Sequence, residues 1–162
     1  MKELTIFTPT YNRAYILPKL YESLCKEPTD DFIWLIVDDG SSDNTHDIVD
    51  KWQKEGRIEI VYHKQQNGGK MRAHNKGVEL CSTPLFFCID SDDQIAEGAV
   101  EKIKKISYLL KEDNSLSGIV AKRFIVNRLS SNNLPNLQRS TLHDIYKIGF
   151  KGDTSLVFKT SV

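Results

Sequence analysis

Leu85-Phe86-Phe87-Cys88-Ile89-Asp90-Ser91-Asp92-Asp93 sets five apolar residues directly against an acidic cluster. The apolar run has the length of a strand, and its unbroken character suits a strand covered on both faces, as in a parallel sheet. Ligands of open α/β sheets collect at the carboxyl ends of such strands. An acidic cluster at that point is therefore more than a solvated turn, the ordinary reading of the same four residues elsewhere in a chain.

Working outward, the same arrangement recurs. Residues 4–8 read as a first strand, and Pro9-Thr10-Tyr11-Asn12-Arg13 punctuates its end. Residues 32–37 form a second wholly apolar strand, followed by Asp38-Asp39-Gly40-Ser41-Ser42-Asp43, in which Ser42 or Asp43 caps the next helix. Residues 58–61 form a third, with Asn67-Gly68-Gly69-Lys70 beyond it. Between the strands, apolar residues recur at helical spacing: Ile16, Leu17, Leu20 and Leu24; Ile48, Val49 and Trp52; Met71, His74, Val78 and Cys81; Val100, Ile103, Ile106 and Leu110. Strands are expected again at 119–126 and 155–159, with a loop or insertion at 127–144. The alternation predicts an α/β sandwich with a mainly parallel central sheet flanked by helices. It also sets four polar loops along one sheet edge.

The bulk properties narrow the function. A chain of 162 residues is expected to form a single domain with a real core. A formal net charge of zero argues against a nucleic-acid partner, which calls for a basic field. No apolar run reaches the roughly 18–20 residues of a membrane helix. Cys25, Cys81 and Cys88 are odd in number and lack CxxC spacing, as expected of reduced core thiols in a cytoplasmic protein without a secretory leader.

Asp90 and Asp92, one residue apart, aim at one point if the turn is tight. Their mutual repulsion would be relieved by a divalent cation, and oxygen ligands suit Mg²⁺ or Mn²⁺ shared with substrate phosphates. An EF-hand is excluded because Ile95 stands where that loop needs glycine. A carboxylate from Asp38-Asp39 suits the imide N–H of uracil or thymine, and Tyr11 either stacks on the base or simply packs. Asn67-Gly68-Gly69-Lys70 lets backbone approach phosphates, although it is not a P-loop. Arg13, Lys70 and Arg72 are candidate counter-charges and equally ordinary surface cations.

Taken in order, Thr8-Pro9-Thr10-Tyr11-Asn12-Arg13, Val37-Asp38-Asp39-Gly40-Ser41-Ser42-Asp43, Asn67 with Gly69, Ala73 and Asn75, and Ile89-Asp90-Ser91-Asp92-Asp93 resemble the family 2 inverting glycosyltransferases of the GT-A fold, a Rossmann-like sandwich. The resemblance covers residues 4 to about 110. It implies that 1–110 is the nucleotide-binding half and 111–162 the start of the acceptor-side half. It implies a UDP- or TDP-sugar donor, with Thr8, Pro9, Tyr11, Arg13, Asp38, Asp39, Asn67, Gly69, Lys70, Asp90 and Ser91 along the nucleotide. Asp38 would shape its loop, and Asp92, with Asp90, would hold the metal. An acceptor hydroxyl would displace the nucleoside diphosphate with inversion, in polysaccharide or glycoconjugate synthesis. The acceptor would be a saccharide or lipid-linked, which implies peripheral association at the inner face of the membrane. Family members run on past the segment resembling 152–159, so the chain is expected to be truncated, to bind donor without efficient transfer, and to have its general base beyond Val162. Asp144 and Asp153 are the late carboxylates that remain.

Three alternatives share parts of this pattern. A sugar-1-phosphate nucleotidyltransferase calls for a glycine-rich loop after strand one, and 9–13 has no glycine. A phosphoacceptor receiver domain needs its acids after strands one and three. A non-catalytic nucleotide-sugar-binding module keeps the fold without turnover.

Overall fold

A computed structural model of the chain describes residues 2–113, 115–122, 124–125, 128–129 and 154–160. Asp144, Asp153 and nearly all of the expected loop at 127–144 lie outside these residues. The chain divides into two compact units, 1–119 with 157–162, and 120–156. The second contains a two-stranded antiparallel pair, β6 (Phe124–Ile125) with β7 (Arg128–Leu129).

In chain order the other elements are β1 (Leu4–Thr10), α1 (Leu17–Leu24), β2 (Phe32–Asp38), α2 (Thr45–Glu55), β3 (Ile60–Lys64), α3 (Lys70–Leu80), β4 (Leu85–Cys88), α4 (Ala99–Glu112), β5 (Gly118–Lys122) and β8 (Thr154–Lys159). One six-stranded sheet has the order β3-β2-β1-β4-β8-β5. The pairs β1–β2, β1–β4 and β2–β3 are parallel, and β8 runs antiparallel to β4. The expected mainly parallel sheet is therefore present, flanked by helices on both faces. Several boundaries differ: β1 runs on to Thr10 and β2 to Asp38, β4 stops at Cys88, and β8 starts at Thr154. The third strand starts later than 58 and runs to Lys64, because its partner β2 continues to Asp38, which pairs with Lys64. The single strand expected at 119–126 is two, β5 and β6.

Side-chain parity builds the layers. Leu4, Ile6, Trp34, Ile36, Leu85 and Phe87 share a core with Leu17, Leu20 and Leu24 of α1, Val49 and Trp52 of α2, and Val100 and Leu110 of α4. Phe7, Leu35, Val37 and Phe86 point the other way and pack with Ala73 of α3. The first core centres on stacked aromatics: Tyr21 and Trp52 lie 4.3 Å apart between centroids. Trp34 stacks on both, and two polar tips of the stack are satisfied: Trp34 Nε1 donates to Thr8 Oγ1 at 3.0 Å and Tyr21 Oη to Glu55 at 3.0 Å.

The second core is thinner, and α3 approaches β1 through a glycine. A Cβ at Gly77 would lie 2.3 Å from the Phe7 ring, which is fully buried and stacks on Phe86. Gly77→Ala is therefore expected to destabilise the fold by about 1–3 kcal/mol through overpacking. Urea unfolding checks this, and an unchanged midpoint would contradict the close approach.

Strand order places the site. The chain runs β1, β2, β3 to one side and then crosses to set β4 on the other side of β1, a topological switch point. Pairing of β1 with β4 ends at Phe7 and Cys88, whereas β1 continues to Thr10 beside β2. That step in the sheet edge opens directly beside Asp90.

Candidate functional site

An open cleft of about 580 Å³ lies at the step. From β1 it is lined by Pro9, Thr10, Tyr11 and Arg13, and from the end of β2 by Asp39. Asn67, Gly69, Lys70 and Ala73 line it at the start of α3, and Asp90, Ser91 and Asp92 after β4. Sequence reasoning singled out most of these residues.

Asp39 is the structural hub. It is buried, and its carboxylate takes three hydrogen bonds from the loop before α3. Gln65 Nε2 donates to Oδ1 at 2.7 Å, Gly68 N to Oδ1 at 2.9 Å and Gly69 N to Oδ2 at 2.7 Å. Burial alone would push the pKa of this carboxyl up. Those three donors and the positive charge of Arg72 outweigh burial and hold it below the usual carboxylate range. An ionised carboxylate has about four acceptor positions, so one remains for a ligand N–H. Gly40, at φ 84°, permits the arrangement: a Cβ there would stand 2.9 Å from Asn67 N.

Thr8 and Asp38 lie beneath the cleft rather than along it. Thr8 is fully buried and accepts the Trp34 indole. Asp38 is fully buried too, accepting Ser41 N at 2.8 Å and the Tyr62 hydroxyl at 2.5 Å. It shapes its loop from inside. Asp43, of the two capping candidates, holds the head of α2, accepting Thr45 N at 3.1 Å and Thr45 Oγ1 at 2.6 Å.

The acidic cluster is arranged otherwise than mutual repulsion suggested. Lys70 Nζ lies 2.8 Å from Asp90 Oδ1, and Arg13 Nη1 lies 3.7 Å from Asp92 Oδ2. Each carboxylate has its own cation, brought by a different loop. No group of three or more His, Cys, Asp or Glu side chains poised for a metal occurs among the described residues. Two half-exposed carboxylates on an open cleft still match the sparse protein share of a Mg²⁺ or Mn²⁺ site, which water and diphosphate oxygens complete. They do not match an all-protein cage.

Three residues have roles that the sequence reading did not give them. Thr10 lines the cleft with a buried hydroxyl that has no hydrogen-bond partner among the described residues. Gln65 and Gly68 hold Asp39. Strand parity was the available signal for Thr10, since it continues the series 4, 6, 8 toward the interior.

The comparisons with known proteins bear on the fold and the family. A teichoic acid poly(glycerol phosphate) polymerase of Staphylococcus epidermidis is 31% identical over 122 residues, 75% of this chain and 16% of that protein. A GalNAc(5)-diNAcBac-PP-undecaprenol beta-1,3-glucosyltransferase of Campylobacter jejuni is 27% identical over 169 residues, 100% of this chain and 53% of that protein. The chain thus spans about half, or much less, of these relatives. Among solved structures, S. aureus TarS 1-349 in complex with UDP has a TM-score of 0.76 and 19% identity, covering 98% of this chain and 47% of that one. That likeness is one of fold, and it identifies the sandwich as GT-A. Residues 5–155 match the model of Glycosyl transferase family 2, nearly the whole chain, so this chain belongs to glycosyl transferase family 2.

Proposed function

We propose that this chain binds the donor of an inverting glycosyltransferase, a UDP- or TDP-sugar, for transfer to an acceptor hydroxyl. The observation that carries the reading is the convergence at one switch-point cleft of the anchored Asp39 carboxylate with the acid–cation pairs Asp90–Lys70 and Asp92–Arg13. Asp39 offers its remaining acceptor position to the imide N–H of the base, and half-exposed Tyr11 lies along the same wall. Lys70, at the N-terminus of α3, faces the diphosphate, where the helix dipole favours negative charge. Asp92, with Asp90, would hold Mn²⁺ or Mg²⁺, which when bound supplies Lewis-acid stabilisation of the departing diphosphate. No described residue is assigned as general base.

The TarS complex supports UDP as the probe, since that neighbour of the same fold binds it. The name of the Campylobacter relative supports a lipid-linked saccharide acceptor and work at a membrane surface. Among the described residues no helix is long and apolar enough to cross a membrane, and association of this kind would be peripheral. The segment 111–162 would begin the acceptor side.

Calorimetric titration with UDP, TDP, GDP and ATP, each with and without Mn²⁺, tests the reading. UDP or TDP is expected to bind more tightly with metal present. Equal metal-free affinity for all four would sink it.

A further inference from the structure

We infer that Asn12, which does not line the cleft, is a positioning residue for donor binding: its side chain latches the loop after β1 to the loop after β2, and so fixes Tyr11 and Arg13 on either side of it. This rests on the donor-site reading above.

Asn12 is the only non-glycine with positive φ among the described residues, at 52°. Asparagine tolerates this region better than most residues, but the conformation persists where surrounding contacts over-determine it. Here they do. Asn12 Oδ1 accepts Ser42 N at 2.8 Å and Asp43 N at 3.3 Å. In the opposite direction Asn12 N donates to Ser41 Oγ at 2.8 Å, and Ala14 N donates to Asp43 Oδ2 at 3.0 Å. Asp43 also holds Thr45 at the head of α2, so the latch is tied to a helix.

The consequence falls on the neighbours. Tyr11 and Arg13 both line the cleft, and Arg13 Nη1 reaches toward Asp92 and also donates to Tyr15 Oη at 3.2 Å. With the loop latched, these side chains are ordered before a ligand arrives. Without the latch, each binding event must supply that ordering, at the affinity cost of immobilising rotamer-rich side chains.

The test uses UDP with Mn²⁺ as probe, on Asn12→Gly, Ser41→Ala and the double variant. Glycine keeps φ accessible and removes the side-chain amide, and Ser41→Ala, which breaks the same latch from the other loop, controls for the backbone freedom glycine adds. Asn12→Gly is expected to weaken UDP about tenfold, and Ser41→Ala about threefold. The double variant should lose less than the product of the two, because both break one latch. Amide exchange should quicken at Ser42, Asp43 and residues 11–14 in Asn12→Gly, with β1 and α1 unchanged. A lowered melting temperature with unchanged UDP affinity would make Asn12 merely structural and overturn the proposal. Exchange needs no ligand, so it also separates the two readings. If the unsubstituted chain does not bind UDP, the donor reading falls, and faster exchange over 11–14 in Asn12→Gly would still support the latch. Unchanged exchange there would overturn the latch whatever UDP does.

Discussion

Asp39→Asn is expected to lower UDP affinity by more than about tenfold and to destabilise the fold by about 1–3 kcal/mol. The isostere fails because of donor count. The native carboxylate receives Gln65 and Gly68 on Oδ1 and Gly69 on Oδ2. An asparagine presents one oxygen and one NH₂ group. With its oxygen toward Gln65 and Gly68, the NH₂ confronts Gly69 N–H. Flipped, it confronts Gly68 N–H. Gln65 can turn its own amide to suit, but a backbone N–H cannot, so one buried donor loses its partner in either orientation. The same loop supplies Asn67, Gly69 and Lys70 to the cleft wall, and its displacement reaches the ligand directly. Thermal melting and calorimetry read the two effects. Unsubstituted stability together with unsubstituted UDP affinity would show that the carboxylate neither braces the loop nor meets the base.

Acid stability carries the same signature. The fold holds the Asp39 carboxyl below its ordinary range. Its contribution is therefore complete above the unfolded value of about 4 and is lost as pH falls through the lower folded value. Asp31 and Asp43 are shifted in the same direction, so acid destabilisation of the chain has several sources. The difference between the unsubstituted chain and Asp39→Asn isolates one of them: the variant should lose less stability below about pH 4.

Apolar strands and helical spacing were enough to reveal the sandwich, because burial on both faces leaves its mark on every residue of 32–37 and 85–89. Strand ends were less visible. β1 and β2 each run past their apolar segment, to Thr10 and Asp38, since pairing with a neighbour rather than hydrophobicity sets where a strand stops. The extension of β2 and strand parity together explain the two candidates found beneath the cleft. Thr8 shares the parity of Leu4 and Ile6, and Asp38 that of Trp34 and Ile36, so both point into the larger core. Asp39 is the first residue past the strand and escapes the parity. Pairings between loops were not legible at all. Nothing in the spacing of Arg13 and Asp92, or of Lys70 and Asp90, shows that they meet, because the meeting depends on strand order. The order β3-β2-β1-β4 appears only when the sheet is assembled.

Those pairings sharpen what Asp92→Asn should do. Asp92 is a little over half exposed, and its contact with Arg13 is a surface ion pair 3.7 Å long. Such pairs contribute about 0–1 kcal/mol, so the substitution should leave the fold almost as stable as before. The effect on ligand should be large and specific. In the unsubstituted chain Mn²⁺ is expected to tighten UDP by about tenfold or more; in Asp92→Asn, UDP affinity should be the same with and without the metal. Metal-free affinity is expected to hold or to rise slightly, because Arg13 no longer has a carboxylate competing with the diphosphate for its guanidinium. A simple loss of folding would lower both affinities together, so the sign of the metal-free change separates the two causes. Asp92→Asn that retains the full Mn²⁺ effect would move the metal anchor to Asp90, whose competing cation is Lys70. Lys70→Met would then strengthen Mn²⁺ binding in the absence of nucleotide while weakening UDP, an opposition of signs that a misfolded variant does not produce.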